Sequence, residues 1–108
     1  MFGFGVKTIS SDELRKKITN KEKLIIIDVC EPYEYNEYKI ENALNMPLLE
    51  FPELFNDTFP NIDKNEQIIV YCAHGIRSNR AFNYLKSLGF TNIYSLKGGI
   101  ADYLNLDF

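Results

Sequence analysis

Two predominantly apolar runs constrain the fold of this chain most strongly. They are residues 24–29 (LIIIDV) and 67–72 (QIIVYC), and both are rich in β-branched side chains. Continuous runs of this kind are typical of parallel strands that are covered on both faces of a sheet. Helical patterns lie between the strand-like segments. The sequence therefore predicts an α/β domain with a mainly parallel sheet, whose ligand site lies beyond the carboxyl ends of the strands.

Shorter segments complete the alternation of strands and helices. Ser10 and Glu13 have the spacing of a capping box, which predicts a helix that extends to about Thr19. Gly89 suits the position just after a second helix. The other expected strands are 6–9, 43–46 and 92–96, and the other expected helical segments are 31–38, 48–55, 78–88 and 100–104. Pro52 leaves the length of the helix at 48–55 open.

Length and composition favour one soluble globular domain over residues 1–108. The chain is 45% hydrophobic and 25% charged, and its net charge is −3. An acidic chain does not have the basic surface that nucleic acids require. No apolar run approaches the roughly 20 residues of a membrane span, and residues 1–7 lack the pattern of a secretory signal. We expect a cytoplasmic protein without nucleic-acid or membrane partners.

The chain has few cysteine and histidine residues, and their number favours thiol chemistry over a structural role. Cys30 and Cys72 are the two cysteines, and His74 is the one histidine. These residues are too few for a disulfide scaffold or a four-ligand zinc site. We expect no metal and no cofactor.

Cys72 is the candidate nucleophile. It ends an apolar run and precedes a short loop that opens a helix. Loop amides, the positive helix end and Arg77 would all favour a thiolate, which is the reactive form of cysteine. The alternative is that Cys72 is a small buried hydrophobic residue. The expected substrate-binding residues are Ala73, His74, Gly75, Ile76, Arg77 and Ser78.

Individual loop residues have different expected roles. The planar guanidinium of Arg77 suits a sulfonate in bidentate fashion, although it could also be a solvated surface cation. Gly75 permits a positive φ or a close approach of the backbone. Ser78 is expected to cap the helix, and His74 to be exposed rather than a general base.

Three separated segments resemble the rhodanese family in its single-domain form. They are 27–35 (IDVCEPYEY) with Ile40 and 43–47 (ALNMP), the loop 72–78 (CAHGIRS), and 96–100 (LKGGI). The resemblance implies a five-stranded parallel sheet with helices on both faces. It also implies a sulfurtransferase: Cys72 takes the outer sulfur of thiosulfate or another sulfane donor, holds it as a persulfide, and passes it to cyanide, a small thiol or a protein thiol.

The chain departs from the family pattern near the loop. Cys30 stands where the family usually carries arginine, so any ion pair of that arginine with acidic neighbours cannot form here. Tyr38 and Lys39 stand where the family usually has a Gly-His pair, and Tyr103 stands where the family often has tryptophan. Asp28 and Cys30 are possible auxiliary residues. Asp28 is expected to accept hydrogen bonds from backbone amides. Cys30 is expected to fill a small space, or alternatively to act as a resolving thiol that pairs with Cys72 or accepts its sulfur.

Two other functions remain open. Cell-cycle phosphatases that resemble this fold, and arsenate reductases, also place a cysteine and an arginine around an anion. The four residues between Cys72 and Arg77 are one fewer than in those phosphatases, and the smaller ring favours a reactive sulfur over a tetrahedral phosphate. A catalytically silent binding or regulatory module is the third alternative, although retention of Cys72, Gly75 and Arg77 argues against it.

Overall fold

The computed structural model describes residues 5–108 and contains a five-stranded, all-parallel sheet. Its strands are β1 (Thr8–Ile9), β2 (Ile25–Asp28), β3 (Leu44–Asn45), β4 (Ile68–Tyr71) and β5 (Ile93–Leu96). The spatial order is β1-β5-β4-β2-β3, and every pairing is parallel. The predicted α/β class with its parallel sheet is confirmed.

Helices connect the strands and cover both faces of the sheet. They are α1 (Ser11–Thr19), α2 (Pro32–Glu37), α3 (Phe51–Thr58), α4 (Ile76–Ser87) and α5 (Gly99–Tyr103), with a 3-10 turn at Leu48–Glu50. The predicted capping box of α1 is present: Ser10 Oγ accepts from the Glu13 N–H, and Glu13 accepts from the Ser10 N–H. No helix within residues 5–108 has the length and apolar character needed to cross a membrane.

The core is divided by the sheet into two layers. Phe51 and Phe55 of α3 join Phe82 and Leu85 of α4 on one face. Leu14 of α1 and Ile100 of α5 pack on the other. Alternation along β4 sends Val70 to the first layer and Tyr71 to the second. The two apolar runs thus form strands buried on both faces, for the reason that the sequence indicates.

Several element boundaries differ from the sequence predictions. The helix expected at 48–55 is a 3-10 turn followed by α3, which continues to Thr58. Pro52 does not limit this helix, because it lies in the first turn, where a missing N–H costs no hydrogen bond. Helix α4 begins at Ile76, so Arg77 belongs to its first turn. Of the N-terminal segment 1–7, whose sequence lacks a secretory pattern, residues 1–4 lie outside the described residues.

The strand register brings the candidate site residues to one edge of the sheet. Asp28 is the register partner of Tyr71, and the Val29 N–H donates to the Tyr71 carbonyl at 2.9 Å. Cys30 and Cys72 therefore follow neighbouring strands at their carboxyl ends. The turn after β5, which leads into α5, lies at the same edge of the sheet and is the third segment of the candidate site.

Candidate active site

Cys72 lies at the centre of a loop that directs backbone N–H groups at its sulfur. The N–H of Gly75 donates to Sγ at 3.1 Å, and the N–H of Ser78 donates at 3.4 Å. Gly75 has φ +117° and is the residue from which α4 starts, so the predicted positive φ is observed. Hydrogen bonds donated to sulfur and the positive end of α4 stabilise negative charge at this point.

The Cys72 sulfur is buried. Cys72 is only 1% exposed, and it belongs to the same core layer as Phe82. Burial alone would fit a small hydrophobic residue, but such a residue requires no converging amides. Any molecule that reacts with this sulfur has to reach the bottom of the loop, where the amides lie.

Ser78 does not cap the helix, contrary to the sequence prediction. Gly75 occupies that position, and the Ser78 side chain is fully buried behind the loop. Its Oγ lies 3.6 Å from Cys72 Sγ, donates to the Gly75 carbonyl at 3.1 Å, and lies 2.8 Å from Ser95 Oγ. Sequence reasoning missed Ser95, since a serine inside an apolar strand carries no motif. The two serines form a small polar support under the sulfur.

Helix α5 holds the loop from the other side. The N–H of Ile100 donates to the carbonyl of Cys72 at 2.9 Å, and the N–H of Ala101 donates to that of Ala73 at 3.1 Å. Gly99 has φ +62°, and a Cβ there would lie 2.3 Å from the Ala73 carbonyl oxygen. The absence of a side chain at Gly99 thus permits this close approach.

Arg77 makes a bidentate ion pair with Glu34 of α2. Its two terminal nitrogens lie 2.7 and 2.9 Å from the carboxylate oxygens. The hydrogen bond to Arg77 lowers the pKa of Glu34, and the same bond raises the pKa of Arg77. The fork that the sequence assigned to a substrate anion is therefore occupied by a carboxylate of the chain itself. Sequence reasoning did not identify Glu34 as a site residue. The available signal was its position three residues after Glu31, which is the spacing of a capping box, and Glu34 does accept a hydrogen bond from the Glu31 N–H at 2.9 Å.

Asp28 and Cys30 form the floor beside the loop. Asp28 Oδ1 accepts from the Cys30 N–H at 2.8 Å, which is the amide-binding role expected for it. Among the described residues Asp28 Oδ2 has no hydrogen-bond partner. Burial raises the pKa of Asp28. Burial also raises the pKa of the Cys30 thiol, and the Asp28 carboxylate adds to this effect. Cys30 is therefore a neutral thiol that is 2% exposed.

A small cavity of about 50 Å³ opens beside Ala73. Two of its lining residues are acidic, Glu34 and Glu37. The others are uncharged: Cys30, Tyr38, Ala73, Ile100 and Phe108. His74 is exposed, as expected, and its ring lies 5.3 Å from that of Phe108. Ile76 is 76% exposed. Neither side chain contributes a hydrogen bond to the sulfur among the contacts of residues 5–108.

Fold and site together define an α/β domain that presents a cysteine inside an amide-lined loop at the carboxyl edge of a parallel sheet. Residues 10–106 match the Rhodanese-like domain family, and the chain belongs to that family. The resemblance read from the three sequence segments is confirmed.

Curated relatives carry a more specific description. The tRNA uridine(34) hydroxylase of Buchnera aphidicola subsp. Baizongia pistaciae is 36% identical over 98 residues, which cover 89% of this chain and 31% of the relative. The tRNA uridine(34) hydroxylase of Wolbachia pipientis wMel is 37% identical over 89 residues, covering 80% of this chain and 32% of the relative. The chain thus spans about a third of the length of these relatives.

Solved structures share the fold along nearly the whole chain. A rhodanese-related protein from Thermoplasma volcanium superposes with a TM-score of 0.78 at 29% identity, and the match covers 94% of both chains. The thiosulfate sulfurtransferase of Pseudomonas aeruginosa reaches a TM-score of 0.81 at 20% identity, covering 93% of this chain and 19% of that one. The latter likeness concerns the fold alone.

Proposed function

We propose that this domain is a sulfurtransferase that moves a sulfane sulfur from thiosulfate or a persulfide donor to a thiol or cyanide. The observation that carries the proposal is the pair of N–H groups, from Gly75 and Ser78, that converge on Cys72 Sγ. These donors support a thiolate before transfer. After transfer, backbone donors of the same loop can support the charge of a persulfide.

The reaction divides into two displacements at sulfur. The Cys72 thiolate attacks the outer sulfur of the donor, a new S–S bond forms, and the donor's S–S bond breaks. With thiosulfate the leaving group is sulfite, which departs with the electron pair. The acceptor thiolate then attacks the outer sulfur of the persulfide, and the Cys72 thiolate is released. No external oxidant or reductant is consumed, and the covalent intermediate predicts ping-pong kinetics.

The remaining features of the proposal follow from charge and composition. The cavity of about 50 Å³ beside the loop suits a small sulfur-containing donor. The acceptor is a thiol of low molecular weight, cyanide or the thiol of a protein side chain. The net charge of −3 favours partners other than nucleic acid or an anionic membrane surface. We propose a single domain that acts in the cytoplasm without metal or cofactor.

A second candidate is a contribution to tRNA uridine hydroxylation. The observation that favours it is the 36% identity to a protein with that name over 89% of this chain. About two thirds of each such relative has no counterpart in this chain. A sulfur-carrying cysteine domain and a tRNA-modifying protein are distinguishable by whether this chain takes up sulfur without RNA.

The decisive experiment measures the intact mass of the reduced protein after incubation with thiosulfate or cysteine persulfide. We expect the addition of one sulfur atom, removed again by cyanide. Cys72→Ser should abolish the addition and leave the circular dichroism spectrum unchanged, whereas Cys30→Ser is the matched control and should retain it. Absence of sulfur uptake from both donors would overturn the proposal, and hydrolysis of an aryl phosphate without sulfur uptake would favour the phosphatase alternative.

A further inference from the structure

The positive charge of the loop is already neutralised within the protein. The Arg77 guanidinium and the Glu34 carboxylate share two hydrogen bonds of 2.7 and 2.9 Å, and their side chains are 33% and 25% exposed. Charge-assisted bidentate pairs are among the stronger side-chain contacts. An anion that binds the fork of the two terminal nitrogens has to displace a carboxylate from it, and at its other edges the guanidinium offers a charge that Glu34 already balances.

The cavity that Glu34 lines has no cation among its described lining residues. Glu34 and Glu37 both line it, and the neighbouring Cys30 thiol is neutral. The rest of its wall includes the rings of Tyr38 and Phe108 and the aliphatic side chain of Ile100. Because Arg77 balances Glu34, it is the Glu37 carboxylate that disfavours a ligand with two negative charges, while an uncharged carbon chain meets a largely apolar surface.

We propose that Glu34 is a specificity-determining residue: by holding Arg77 it selects against a dianionic inorganic donor such as thiosulfate and in favour of an alkyl persulfide. The inference rests on the proposed sulfur transfer and identifies its donor class. In the favoured reaction, the Cys72 thiolate attacks the terminal sulfur of R–S–SH. The bond between the two donor sulfurs breaks, R–S⁻ leaves with the electron pair, and Cys72 becomes the persulfide.

The first test measures binding and needs no turnover. Thiosulfate is titrated by calorimetry into Cys72→Ser protein, alone and combined with Glu34→Gln or Glu37→Gln. Glu34→Gln retains an oxygen for the Glu31 N–H but removes the charge that holds Arg77. We expect Glu34→Gln to tighten thiosulfate binding by about tenfold, since Arg77 becomes available. Glu37→Gln removes the same charge from the same cavity and helix, and should tighten binding less than about twofold because Arg77 stays paired.

The second test compares donors at steady state in the Cys72 protein. Glu34→Gln should lower KM for thiosulfate by about tenfold while kcat changes less than about twofold, because the gain is in ground-state binding. KM for cysteine persulfide should change less than about twofold. A general perturbation of the site would alter both donors alike.

The outcomes separate the two proposals. Equal effects of Glu34→Gln and Glu37→Gln on thiosulfate binding, or no effect of Glu34→Gln, would overturn the role of Glu34. A thiosulfate KM below that of cysteine persulfide in the unaltered protein would overturn the assigned donor class. Failure of the unaltered protein to accept sulfur from either donor would refute the sulfurtransferase itself, while the calorimetric comparison would still decide whether Glu34 restrains Arg77.

Discussion

Ile100 donates its backbone N–H to the carbonyl of Cys72 across 2.9 Å, so the helix after β5 fixes the residue that carries the candidate nucleophile. Ala101 makes the equivalent bond to Ala73. The loop that follows β4 is therefore held by α5, and its geometry depends on how closely that helix can approach.

Gly99→Ala should displace α5 from the loop. A Cβ at this position would meet the backbone of Cys72 and Ala73 at 2.3 to 2.5 Å, and a backbone neighbour cannot yield as a flexible side chain would. We expect a loss of more than about 3 kcal/mol in the free energy of unfolding, together with loss of sulfur uptake. Urea denaturation and mass spectrometry measure the two effects.

Gly89→Ala is the matched control for that substitution. Gly89 also has a positive φ, of +94°, but a Cβ at this position would have no other atom within 4 Å beyond its immediate chain neighbours. It should cost only the conformational penalty of about 1–2 kcal/mol and leave sulfur uptake intact. Equal effects of the two alanines would show that the contact of Gly99 with the loop is unimportant.

Ser78→Ala should impair the sulfur chemistry more than Ser95→Ala does. Both substitutions remove the 2.8 Å hydrogen bond between the two hydroxyls, but only Ser78 also lies beside Cys72 Sγ and the Gly75 carbonyl. Each should cost roughly 1–3 kcal/mol of stability, because a buried hydroxyl loses its partner. The rate of sulfur uptake should fall about tenfold for Ser78→Ala and less than about twofold for Ser95→Ala. Equal rates for the two variants would contradict a role for Ser78 beside the sulfur.

Asp28 makes stability depend on pH in a definite direction. Burial raises its pKa above the unfolded value of 3.8. The folded protein therefore holds this proton more tightly, and the resulting stability is present below pH 3.8 and is lost as pH rises through the folded pKa. Asp28→Asn can still accept the Cys30 N–H and does not titrate. Its free energy of unfolding should fall relative to the unaltered protein as pH is lowered from about 7 towards about 4, and a constant difference in urea denaturation would contradict the raised pKa.

Cys30 should be chemically silent under conditions in which Cys72 reacts. Burial and Asp28 raise the pKa of its thiol, and a protonated buried thiol is a poor nucleophile. Iodoacetamide at neutral pH should label Cys72 and spare Cys30, and peroxide should oxidise one site. Peptide mass spectrometry checks both. An internal disulfide between the two cysteines would support the resolving-thiol alternative instead.

The strands, the sheet class and the position of the loop could be predicted because they depend on local patterns. Residues 24–29 and 67–72 are predominantly apolar, and a parallel sheet collects the carboxyl ends of such strands at one edge. The partner of Arg77 could not be predicted in this way. Glu34 lies 43 residues away in sequence, and which carboxylate meets the guanidinium depends on how α2 packs beside α4. Ser78 shows the same limit, since its predicted capping role follows from residue type while its observed role depends on Ser95 across the core.

The parallel pairing of β4 with β5 also imposes an order of events on the nascent chain. A nascent chain emerges from the ribosome with its N-terminus first. Cys72 therefore emerges before Ser95 and Ile100, which complete its surroundings. Until those residues follow, the thiol lacks the hydrogen-bonded surroundings of the finished domain. The serine pair and the bonds from α5 therefore form around this cysteine only when the last strand has joined the sheet.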